Sequence, residues 1–82
     1  MQYEYETMTV DDARRIKKAL ARNKLSQEWL IHRLDRDWGI QINYAAMSAV
    51  LAGKRAIGRR TQRMLWCSDQ IIKKYEDFYR KG

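Results

Sequence analysis

Proline is absent from all 82 residues, and the four glycines stand at positions 39, 53, 58 and 82. Nothing therefore forces a backbone amide out of a helix, and the cheap sites for a left-handed turn lie between stretches that can run unbroken. Apolar residues in those stretches recur at spacings of three and four, the period of a helix with one face turned inward. The chain is expected to be all-α: a compact four-helix domain with a long C-terminal helix.

Local signals place the helices. Thr9 is positioned as an N-cap, with Asp11 and Asp12 in the first turn to complement the helix dipole. Ala13, Ile16 and Leu20 then mark one apolar stripe that ends near Asn23. Ser26 caps a second helix predicted over 27–38, with Trp29, Leu30 and Leu34 facing inward. Gly39 supplies its left-handed stop, and Ile40 folds back onto Leu34. Asn43 caps a short third helix over 44–52, ended by Gly53, with Ile42 and Met47 as a hydrophobic staple. At about 100° per residue, Val50 and Leu51 fall within about 60° of Met47. These three make the buried side, and Ala45, Ala49 and Ala52, with Ser48 at the edge, make the opposite one.

The last helix is predicted over 60–80, on a stripe of Met64, Leu65, Ser68, Ile71, Ile72, Tyr75, Phe78 and Tyr79. At about 1.5 Å per residue it would reach about 30 Å, more than so small a domain needs. Its far end is therefore expected to meet another subunit. The expected core is Ile16, Leu20, Leu30, Leu34, Met47, Val50, Met64, Leu65 and Ile71. A chain of this length builds one core, so residues 1–8 are read as an N-terminal arm and 9–82 as the domain.

Charge narrows the function. Seventeen Lys and Arg face ten Asp and Glu, a net charge of +7 with a pI near 9.9. Glu4, Glu6, Asp11 and Asp12 take four of the acids, so residues 13–82 carry seventeen bases against six acids, a net +11. Such an excess on a small body suits a polyanion, through attraction to phosphate and release of its counterions; solubility is the plainer explanation. No run is apolar enough to cross a membrane. The opening residues lack the basic and apolar regions of a secretory signal, and the lone Cys67 forms no internal disulfide, which suits the cytoplasm. His32 has no partners for a zinc site. No phosphate loop, paired-carboxylate site or nucleophile motif occurs, so neither an enzyme nor a cofactor is expected.

The two helices around Gly39, the second short with a polar start and a glycine end and followed by Lys54-Arg55, describe a helix-turn-helix. Leu25-Ser26-Gln27-Glu28-Trp29-Leu30 resembles the opening of that motif in the Cro and phage-repressor family. Met47-Ser48-Ala49-Val50-Leu51-Ala52-Gly53-Lys54-Arg55 resembles its recognition helix and the turn behind it. The likeness covers roughly residues 10–60. It implies that Gln27 meets a phosphate of double-stranded DNA and that the third helix enters the major groove, with Asn43, Tyr44, Ala45, Ser48 and Ala49 toward base edges. Lys54, Arg55, Arg59 and Arg60 would grip phosphates. It further implies a transcriptional regulator of phage or mobile-element type, a repressor acting by operator occupancy as a homodimer. Gln27 and Met47 lie further apart than in the family. Asp35-Arg36-Asp37-Trp38-Gly39-Ile40 is the extra material, with Trp38 or Ile40 expected to fill the wider gap.

Other readings stay open at single residues. The alanine side of the third helix also suits a protein partner, which would make the chain an inhibitor or adaptor. Lys54, Arg55, Arg59, Arg60 and Arg63 also fit a solvated basic face, as do the bases of the first helix. Trp66 falls off its helix's stripe, so it is expected either under Tyr3 or Tyr5 or, with Tyr75, Phe78 and Tyr79, at a subunit or partner contact.

Overall fold

Ser26 and Asn43 begin helices because their side-chain oxygens take amides that no helical carbonyl can reach. The Trp29 amide donates to Ser26 Oγ at 2.9 Å, and the Ala46 amide to Asn43 Oδ1 at 2.8 Å. The Asp12 carboxylate folds back to accept the Thr9 backbone N–H at 2.8 Å and the Thr9 hydroxyl at 3.1 Å. The computed structural model describes residues 4–79: a short 3-10 turn, Glu4–Thr7, then α1 (Val10–Arg22), α2 (Gln27–Trp38), α3 (Tyr44–Leu51) and α4 (Arg59–Tyr79). No strand occurs among the described residues. The protein is an all-α four-helix domain with a long C-terminal helix.

The stops of α1, α2 and α3 have visible causes. Gly39 adopts φ 66° at the end of α2, and the Ile40 amide donates back to the Leu34 carbonyl at 3.1 Å. Gly53 does the same for α3 at φ 73°, with the Lys54 amide on the Ala49 carbonyl at 3.0 Å. The end of α1 is unusual, because Lys24, which is not a glycine, takes φ 58°. There the Leu25 and Lys24 amides close onto the Leu20 and Ala21 carbonyls at 2.8 and 3.1 Å. No glycine or asparagine at position 24 announces this turn.

α4 is the axis against which the 3-10 turn, α1 and α2 pack, while α3 lies on α1 and α2. Two registers define the packing. α1 runs parallel to α4, with Arg15 on Asp69 and Arg22 on Glu76, both pairs 54 residues apart. α2 runs antiparallel, because its first turn places Trp29 against Tyr75 and its last places Trp38 against Trp66. Every residue of the expected core is buried, joined by Met8, Ala13, Ala19, Leu51, Cys67 and Ile72.

Residues 4–8 are part of the folded body: Met8 is buried, and the Gln62 amide donates to the carbonyls of Glu6 and Met8. The length of α4 is also largely used within the chain. At about 30 Å it fits a body 36 Å long and is flanked as far as Glu76, leaving Phe78 and Tyr79 79% and 67% exposed. Its predicted last residue, Arg80, lies outside the described residues.

Candidate nucleic-acid interface

α3 presents two chemically different sides. Met47, Val50 and Leu51 are buried, while Asn43, Tyr44, Ala45 and Ser48 are exposed and Ala49 and Ala52 half-buried. The alanine side thus stays out of the hydrophobic interior. Tyr44 is 57% exposed and is the one large side chain on that surface. The Asn43 amide oxygen is taken by the helix cap, which leaves its NH2 group as a hydrogen-bond donor.

Gln27 binds within the chain. Its Nε2 donates to the Tyr44 carbonyl at 3.0 Å, tying the start of α2 to the start of α3. Expected at a phosphate from the sequence, this side chain sets two helix N-termini side by side, each with backbone amides and the positive end of a dipole. Between the two helices the chain runs from Gly39 through Ile40 and Ile42. Trp38 covers Trp66, their rings meeting edge to face at 5.8 Å, and Ile40 packs against the core. Trp66 is half-buried beneath Trp38, a cover not anticipated from sequence; Tyr3 lies outside the described residues.

The cations divide by environment. Arg14, Arg15, Arg22, Arg33, Arg36 and Lys73 each meet a carboxylate within 4 Å. Lys54, Arg55, Arg59, Arg60 and Arg63 are exposed, and none has such a partner among the described residues. From Trp38 to Ser68 the chain holds no Asp or Glu. Of the bases expected on α1, the three arginines are paired, and Lys17 and Lys18 remain exposed without a carboxylate among the described residues.

The start of α4 sharpens this. Helix N-termini favour acids by about 0.3–1 kcal/mol and disfavour cations, yet α4 begins with Arg59 and Arg60 and has no acid in its first turn. Positive side chains on a positive helix end work against stability and in favour of an anion from outside the chain. The α3 end is held close to α1: a Cβ at Gly53 would stand 3.0 Å from both Val10 Cγ1 and Arg14 Nε.

Beside α3, an open-sided cleft of about 540 Å³ runs between the α2–α3 connection and the first turns of α4. Ile40, Ile42 and Met64 line it, with Arg55, Arg60 and Arg63. From the sequence, Arg63 stands only as a member of a basic run. Its neighbour Cys67 is buried, and burial pushes that thiol up, with Arg63 offsetting only part of the effect.

At the opposite end of α4, Tyr75 packs on Trp29 and on Tyr79, Tyr79 on Phe78, and the Arg33 guanidinium lies 5.4 Å from the Trp29 ring centre. His32 is exposed. Among the described residues no three His, Cys, Asp or Glu side chains gather as a metal site, and no helix is long and apolar enough to cross a membrane. No protein-family model, curated protein or solved structure matches the chain.

Proposed function

We propose that this protein is a sequence-specific, double-stranded DNA-binding transcriptional regulator of the Cro and phage-repressor type, a repressor that acts by occupying its operator in the cytoplasm. The observation that supports it most is the exposed side of α3, followed by Lys54, Arg55, Arg59 and Arg60, four exposed cations with no carboxylate partner among the described residues. Phosphate oxygens are the natural counter-charge for such a rim, and a helix of this width fits the major groove. In this reading α2 and α3 form a helix-turn-helix. Asn43, Tyr44, Ala45, Ser48 and Ala49 face base edges, and Lys54, Arg55, Arg59 and Arg60 hold the backbone. Gln27 positions α3 as well as approaching a phosphate.

The face is mostly methyl groups, so it reads thymine methyls more than donors and acceptors, and discrimination between sequences is modest. Phe78 and Tyr79, the exposed aromatic end of α4, supply the contact for a homodimer, and a dimer reads a palindromic operator. Sedimentation that stays monomeric at high micromolar concentration, with and without DNA, refutes the dimer.

Selection of binding sites from random DNA tests the whole reading. A symmetric consensus is expected, with affinity falling about a thousandfold or more between 50 and 200 mM salt if roughly six phosphates are neutralised. Arg55→Ala should weaken all sequences, and Ser48→Ala should shift preference among them. Loss of a protein complex on both changes, with DNA affinity untouched, would favour the inhibitor or adaptor instead.

A further inference from the structure

We infer that the arginine-lined cleft beside α3 is a docking groove for an acidic peptide segment of a protein partner, one that alternates carboxylates with apolar side chains. Its floor is Ile40, Ile42 and Met64, and its rim Arg55, Arg60 and Arg63. No carboxylate among the described residues neutralises these guanidiniums.

Charge complementarity selects an anion, and guanidinium forks match carboxylates two oxygens at a time. The shape then narrows the class. Small-molecule sites enclose most of their ligand, and this cleft is open along one side, so it suits a chain lying in it. The floor decides between chains. The sugar-phosphate backbone that a duplex turns outward presents charge and polar groups, which gain nothing from two isoleucines and a methionine. A peptide can seat Leu or Ile there while its Asp or Glu residues meet the rim, as in other recognition of acidic motifs by arginine clusters.

A regulatory consequence follows, and it rests on the DNA reading. Arg55 and Arg60 belong both to the cleft and to the cations assigned to phosphate, so a bound acidic segment excludes DNA by occupying the same guanidiniums. Arg63 belongs to the cleft alone and separates the two uses.

The test uses the full chain and a fluorescein-labelled capped peptide of about ten residues, a length of order 35 Å when extended, alternating Leu with Asp or Glu. A glutamate-only peptide of equal charge is the control. The amphipathic peptide is expected to bind more tightly than the control. Arg63→Ala should weaken it roughly tenfold, the size of losing one charge-assisted contact. Arg59→Ala, outside the cleft, should change it less than about twofold, as for an exposed long-range charge. Equal affinity for the two peptides, or equal effects of the two substitutions, overturns the proposal, because the peptide is then responding to net charge alone. Displacement of a DNA duplex by saturating peptide supports the shared-arginine competition. DNA binding without peptide binding sinks the cleft and leaves the DNA reading standing; peptide binding with no affinity for any DNA does the reverse.

Discussion

α1 and α4 lie parallel, yet their first turns are built from opposite charges. α1 opens with Asp11 and Asp12, which complement its dipole and also hold Arg14 and Arg15. α4 opens with Arg59 and Arg60 and no acid, and Arg63 follows one turn later. In the first helix both acids and all three arginines have an internal use, the arginines being tethered to Asp11, Asp12, Asp69 and Glu76. In the last helix the opening charges stabilise nothing in the chain itself. One helix start is thus balanced within the chain and its neighbour's is not, and under the proposed function the unbalanced charge is the part that meets DNA.

Four variants can break or sharpen that contrast. The largest effect is expected from Arg55→Gln with Arg60→Gln. Under the proposed function this removes two phosphate contacts and should weaken DNA binding on the order of a hundredfold and lower the salt slope by about two. Thermal stability should be unchanged or slightly raised, because a repulsion is relieved; a double variant that melts early contradicts the idea that these arginines have no internal role. Arg15→Ala should do the opposite. Asp69 is 7% exposed, and the loss of its 2.9 Å partner should cost about 1–2 kcal/mol in urea unfolding, with little change in DNA affinity.

Acid titration tests the same balance more gently. Burial of Asp12 raises its pKa, but the Thr9 N–H and hydroxyl and the Arg15 guanidinium outweigh burial and hold it below the ordinary 3.8. A carboxyl lowered in the folded state contributes stability above its unfolded pKa and loses it as pH falls through the folded value. Stability should therefore drop below pH 3.8, and Asp12→Asn should flatten that drop. Asp37, held low against burial by Arg33 and Arg36, adds a decline in the same window. Smallest of all, Arg22→Ala removes an ion pair to Glu76 with a half-exposed arginine and should cost no more than about 1 kcal/mol. A larger loss would mean that the α1–α4 register depends on this bond.

Much of the fold was legible because its signals are local. Ser26 and Gly39 bound α2 in the sequence and in the structure, and Asn43 begins α3 by the bond its position predicts. The period of the apolar residues picked out nine buried side chains. The candidate interface was partly legible for the same reason: Ala45 and Ser48 are exposed because Met47, Val50 and Leu51 are not. Lys24 escaped because its left-handed turn is held by bonds back to Leu20 and Ala21 rather than by a residue suited to it. The Trp38 cover on Trp66, the burial of Met8 and the attachment of Gln27 to Tyr44 escaped because each joins positions far apart in the chain.

The sequence by itself determined the four helices, their caps and the inward sides, since each follows from residues within a turn or two of one another. Tertiary structure alone decided the two registers along α4, and with them which arginines find a carboxylate and which do not. An ion pair depends on the few ångströms between side chains brought together from positions 54 apart, and periodicity carries no information at that range. That is why the basic residues look alike along the chain and divide into two populations only once it has folded.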